Sequence, residues 1–80
     1  MLTIKVLGPG CANCRKLEEL ARQAVTSLGV DAEFAKVTDM QEIIAYDVLK
    51  TPGLVINDKL VSAGRIPTAD HIAEWIKAAG

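Results

Sequence analysis

Cys11 and Cys14 are the two cysteines of this 80-residue chain, and they stand three positions apart. They follow Gly8-Pro9-Gly10, a run that interrupts regular structure, and they precede a long helical pattern. That placement predicts a helix N-terminus. Unpaired N–H groups and the helix dipole favour negative charge there, which lowers a thiol's pKa and raises its thiolate fraction. Thiolate attacks disulfides, and it also binds soft metals. The stretch therefore allows a redox dithiol or a metal clip. A structural staple is the plainer alternative, but so small a loop restrains little of the unfolded chain.

Composition narrows the field. Half of the residues are hydrophobic while only Phe34, Tyr46 and Trp75 are aromatic, so the core must be aliphatic. The length suits a single domain spanning residues 1–80. Charges nearly cancel, at a formal net charge of -1, and no basic run or stripe is present. Nucleic-acid binding is accordingly not expected. Membrane association is not expected either, since no apolar stretch approaches the ~18 residues of a span. Met1 leads straight into Leu2-Thr3-Ile4-Lys5-Val6-Leu7, which is too short and too strand-like for a signal peptide. The expected location is cytoplasmic, where lasting structural disulfides are rare.

The elements that must position the cysteines can be read in order. Residues 2–7 alternate as a strand does. From Ala12, the positions of Cys14, Leu17, Leu20, Ala21, Ala24, Val25 and Leu28 give the apolar stripe of an amphipathic helix. Arg15, Lys16, Glu18, Glu19, Arg22 and Gln23 fall mostly on its solvent side, and Gly29 is placed to end it. A second strand fits residues 31–37. Thr38 with Gln41 has the capping-box order, and Met40, Ile43, Ile44, Val48 and Leu49 extend a second helix up to Thr51-Pro52. Gly53-Leu54-Val55-Ile56 and residues 59–63 form a hairpin around Asn57-Asp58. Thr68 caps a last helix whose inward positions are Ile72, Trp75, Ile76 and Ala79.

The order βαβαββα makes an α/β fold. Its right-handed crossover and hairpin build a four-stranded mixed sheet flanked by three helices on both faces. Sites in such sheets form beyond the C-terminal ends of the parallel strands, where the first strand delivers Cys11.

Element order, Cys11-Ala12-Asn13-Cys14 at the first strand-to-helix turn, and Thr51-Pro52 before the hairpin together resemble the thioredoxin/glutaredoxin superfamily. The resemblance spans the whole chain and is nearest to its small thioredoxin-like redox-active disulfide proteins. It implies a thioredoxin-like fold and a thiol–disulfide oxidoreductase that needs no bound cofactor. By the resemblance Cys11 is the nucleophile, Cys14 the resolving thiol, and Cys11–Cys14 the redox disulfide. Pro52 matches a proline that the superfamily keeps cis and facing the cysteines, although X–Pro bonds in general are cis only about 5–6% of the time. Thr51 would offer its backbone to an extended substrate segment. Gly64 matches the glycine that lets glutathione approach in glutaredoxins. The implied partners are disulfide-containing target proteins, with a reductase or glutathione as electron source; Arg15, Lys16 and Arg65 are candidates for glutathione's carboxylates.

The chain also departs from that pattern. Gly10 stands where thioredoxins carry a tryptophan, and Lys5 occupies the position of their buried acid, so the usual proton acceptor is missing. Ala12-Asn13 is neither of the common dipeptides between the cysteines, which leaves the redox potential open.

Three rival readings use the same cysteines. A heavy-metal-associated domain, binding a soft Cu(I)-type ion, shares the strand, Cys-x-x-Cys and helix of the first half. It would need a strand where residues 38–49 carry a helical pattern, and a methionine where Pro9 stands. A zinc site lacks ligands beyond His71, which reads as a solvent-side helix residue, so no metal is expected. An oxidation-sensing module would show a low-pKa Cys11 with little turnover.

Overall fold

The computed structural model describes residues 2–48 and 50–79. Strand β1 (Leu2–Leu7) leads into helix α1 (Ala12–Leu28), followed by β2 (Ala32–Val37), α2 (Met40–Ala45), β3 (Gly53–Ile56), β4 (Lys59–Ala63) and α3 (Ala69–Ala79). The four strands lie in the order β2-β1-β3-β4. β1 and β2 run parallel, as a helical crossover between them requires, whereas β3 is antiparallel to both β1 and β4. This is the mixed sheet and the βαβαββα order that the sequence predicts.

Alternation along β1 divides the core in two. Leu2, Ile4 and Val6 pack with Leu17, Ala21 and Ala24 of α1, Leu54 and Ile56 of β3, and Ile72 and Ile76 of α3. Leu7 joins Val37, Ile43, Val48 and Val55 in a smaller cluster with α2 on the opposite face. Each large aliphatic side chain buried in this way contributes roughly 1.5–3 kcal/mol of transfer free energy. Trp75 is partly buried against the larger cluster, whereas Ala79 is exposed rather than inward.

Local chemistry fixes the element ends. Gly29 closes α1 at φ 66°, a left-handed conformation that glycine reaches at little cost. Asn57 and Asp58 both have positive φ, the mark of a two-residue primed turn, and the extra residue Val61 bulges β4 against β3. Thr68 Oγ1 accepts the His71 N–H at 3.2 Å and starts α3.

Helix α2 differs from the sequence expectation at both ends. Asp39, not Thr38, is its N-cap, with the Asp39 carboxylate accepting the Gln41 N–H at 2.9 Å. The helix stops at Ala45, well before Pro52, because Asp47 turns left-handed at φ 63° and its N–H closes back on Ile44 O at 2.8 Å. Val48 still enters the core, but from a loop. Leu49 lies outside the described residues.

Candidate active site

Cys11 is the N-cap of α1, and Cys14 is one turn further in. Gly10, at φ 88°, turns the chain so that Cys11 takes the extended conformation a cap needs. The Cys14 N–H donates to Cys11 Sγ at 3.3 Å. Both residues are free thiols, their sulfurs 2.7 Å apart, with Cys11 exposed and Cys14 buried. That asymmetry sets their acidity. The side-chain hydrogen bond from Cys14, together with its backbone N–H, holds the Cys11 thiol below the ordinary range. Burial, and then the same hydrogen bond, push the Cys14 thiol up. The exposed sulfur is therefore the more acidic of the two.

Gly8 is the floor of the site. A Cβ there would collide with Cys14 Sγ and lie 3.5 Å from Thr51 Cβ, so the β1 terminus, Cys14 and Thr51 meet at this one residue. Thr51 is partly buried, Pro52 is buried, and the peptide bond between them is cis. Gly64 is exposed at φ 77° and donates its N–H to Pro52 O at 2.9 Å, while the nearest neighbours of its open side belong to Lys50. Thr51 is thus brought close to Cys14, and Gly64 is joined to that loop through Pro52 and Lys50.

Lys5 lies away from the cysteines. Its ammonium donates to Tyr46 Oη at 2.8 Å and pairs with Asp58 at 3.4 Å, on the α2 face of the sheet. The Tyr46 hydrogen bond, then that of Asp58, raise its pKa. The charges near Cys14 come from elsewhere. Val6, Gly8, Gly10, Cys14, Arg15, Glu18, Lys36 and Thr38 enclose a small cleft of about 20 Å³, enough for roughly one water molecule. Glu18, expected on the solvent side, has a side chain only 15% exposed and is gripped by Arg22 at 2.9 Å and Lys36 at 3.1 Å. Arg22, then Lys36, hold its carboxyl below the usual carboxylate range. Spacing carries the signal for Glu18, which is four residues beyond Cys14 and so on the same helix face.

Among the described residues, no group of three or more His, Cys, Asp or Glu side chains comes together to hold a metal ion. His71 lies on α3, exposed, with its ring 5.9 Å from that of Trp75. α2 is a helix where the heavy-metal-associated topology needs a strand. Among the described residues no helix is long and apolar enough to cross a membrane.

The family model described as "Thioredoxin domain" matches residues 2–77 of the chain. A thioredoxin of Methanothermobacter thermautotrophicus is 42% identical over 72 residues, covering 90% of this chain and 94% of the relative. A thioredoxin of Methanocaldococcus jannaschii is 41% identical over 78 residues, covering 98% of this chain and 90% of that one. Among solved structures, thioredoxin-2, described as a component of malaria parasite protein secretion machinery, superposes with a TM-score of 0.71 at 12% identity. The match covers 98% of this chain and 82% of the other, and at that identity it speaks for the fold alone.

Proposed function

The chain belongs to the thioredoxin domain family and is a thiol–disulfide oxidoreductase, and on that footing we propose that Cys11 and Cys14 exchange disulfides with partner proteins through a mixed disulfide. The Cys11 thiolate attacks one sulfur of the partner's disulfide. A Cys11–partner bond forms, and the partner's other sulfur leaves with the bonding electron pair. Cys14 then gives up its proton and attacks Cys11 Sγ, expelling the partner's remaining sulfur as thiolate. The partner gains two electrons and two protons, and the Cys11–Cys14 pair is oxidised to a disulfide.

One observation carries this reading. Of two thiols in contact, the exposed one is held below the ordinary thiol range and the buried one above it. Attack by Cys11 and resolution by Cys14 follow from that ordering. Thr51 and the cis Pro52 are proposed to seat an extended segment of the partner beside the sulfurs, Gly64 to leave room for its approach, and residues 1–80 to form one domain. We place the protein in the cytoplasm, where lasting structural disulfides are rare and a Cys-x-x-Cys pair is kept free to exchange. Its electrons come from a protein reductase or from glutathione, and the potential of the couple measured against the glutathione pool separates the two.

The role assignment is tested by trapping. Cys14→Ser is expected to accumulate partners bound covalently through Cys11, whereas Cys11→Ser should accumulate almost none. Equal trapping by the two variants would overturn it.

A further inference from the structure

A groove leads away from the cysteine end of the molecule along α3, and the exchange chemistry makes no use of it. Gly53 pairs with Leu7 on one side and with Ala63 on the other, so the chain leaving β4 starts level with the residue before Gly8. Gly64 is then tied to Pro52 O by its N–H at 2.9 Å. From there α3 runs to the opposite end, where Ala79 O accepts from Asn57 of the β3–β4 turn at 3.5 Å. Along the first half of α3 lies an open groove of about 490 Å³.

Its walls change character along their length. Arg65 stands at the end beside Gly64, and Lys50 packs against the open side of that glycine. Buried Pro67 and partly buried Trp75 form the apolar middle, with the His71 ring 5.9 Å from that of Trp75. Glu74 stands further on, about 9 Å along the helix from Thr68 at roughly 1.5 Å per residue. Arg65, Lys50 and Glu74 are exposed, and none forms an ion pair among the described residues. Opposite charges left single at the two ends of an apolar strip complement a chain that carries the reverse pattern. An extended chain advances roughly 3.3 Å per residue, so about three residues span the two charges.

We propose that this groove docks the partner chain flanking its disulfide and selects it by charge order. The matching segment has an acidic residue near its cysteine, for Arg65, and apolar side chains next, for Pro67 and Trp75. A basic residue about three positions beyond the acid meets Glu74. The occupant is a protein segment because the groove continues from the loop of Thr51 and Pro52, where the partner is seated. This inference rests on the exchange reaction proposed above and adds no covalent step to it.

Synthetic peptides without tryptophan test it, each a disulfide-linked homodimer that carries a self-quenching fluorophore and brightens when the full reduced chain reduces it. One set has the acid near the cysteine and the base beyond it, and a second has the two exchanged. Others are neutral at one position or at both, and every pattern is made on either side of the cysteine. The matched order is expected to react about fivefold faster than the exchanged order at low salt, and high salt should close the gap. Arg65→Glu should abolish the preference for an acid at the near position and keep that for a base at the far one, and Glu74→Arg should do the converse. Peptides are compared within each variant, so a general loss of activity does not imitate this result. Trp75 is the chain's single tryptophan, so its emission reports groove occupancy by copies of the peptides with serine in place of cysteine. Equal rates for all charge patterns overturn the groove, and so does an Arg65→Glu variant that alters the response to both positions alike. Glutathione disulfide outrunning every peptide, with that advantage lost in Arg65→Glu, overturns it in favour of glutathione as the occupant. Serine peptides that bind in the same order while no disulfide peptide is reduced overturn instead the exchange reaction on which it rests.

Discussion

The two faces of the sheet are built on different principles. On the α1/α3 face a broad aliphatic cluster runs from Leu2 to Ile76, and its end towards the cysteines opens into a cleft edged by Glu18 and Lys36. On the α2 face the cluster is half that size, and its polar edge is closed by Lys5 bound to Tyr46 and Asp58. One face places unlike charges beside a reactive sulfur; the other uses a charge as a fastener. Lys5 is on the fastening face in this chain, because it alternates with Ile4 and Val6 along β1. Charge near Cys14 is supplied by the next helical turn and the neighbouring strand.

Paired truncations test that division most strongly. Leu17 and Ile43 are both fully buried, on opposite faces. Leu17→Ala should cost about 2–5 kcal/mol, and Ile43→Ala should fall nearer the lower end because a six-residue helix beside a loop can settle into the gap. Urea denaturation measures both. An equal or larger loss for Ile43→Ala would show that the smaller cluster is the more rigid one.

Gly8→Ala comes next in size. The added methyl meets Cys14 Sγ, and relieving such overpacking costs about 1–3 kcal/mol. It should also slow resolution, since the displaced atom is the resolving sulfur. Retention of both stability and the rate at which Cys14 resolves a mixed disulfide would mean that α1 can move off the sheet at little cost.

The smallest effects concern the two charge clusters. Tyr46→Phe removes the acceptor for Lys5 and should lower stability slightly while leaving the rates of Cys11 attack and Cys14 resolution unchanged. Glu18→Gln should lower stability by no more than about 1 kcal/mol at neutral pH, because ion pairs near the surface are screened. Its sign with pH is fixed: the folded pKa of Glu18 is depressed, so the contribution is present above the unfolded carboxylate pKa and fades as pH falls through the folded one. Urea midpoints of wild type and Glu18→Gln should therefore differ at neutral pH and converge in acid. A constant gap across pH would assign the loss to packing.

The cysteine end of the molecule was legible because its signals are local. Gly8-Pro9-Gly10 followed by an i, i+3, i+4 stripe is enough to put Cys11 at a helix start. Strand and hairpin boundaries followed from alternation and from Asn57-Asp58. What periodicity could not convey is backbone conformation at a single residue. Val48 keeps the apolar spacing of α2, yet the left-handed Asp47 has already ended the helix, so the spacing reports burial and not helicity. Glu18 was hidden for a different reason. A charged residue among charged neighbours reads as solvent-facing until the register of β2 against β1 brings Lys36, eighteen positions later in the chain, within 3.1 Å of it.

The cap of α1 gives its first turn a stake in the redox state. The atom that fastens the Cys14 amide is Cys11 Sγ, the same atom through which electrons are exchanged. A thiolate accepts an N–H bond more strongly than a sulfur already joined to another, so bonding to any partner weakens the clasp and release restores it. By reciprocity, whatever tightens the opening turn of this helix favours the open dithiol, and whatever frays it favours the bridged form.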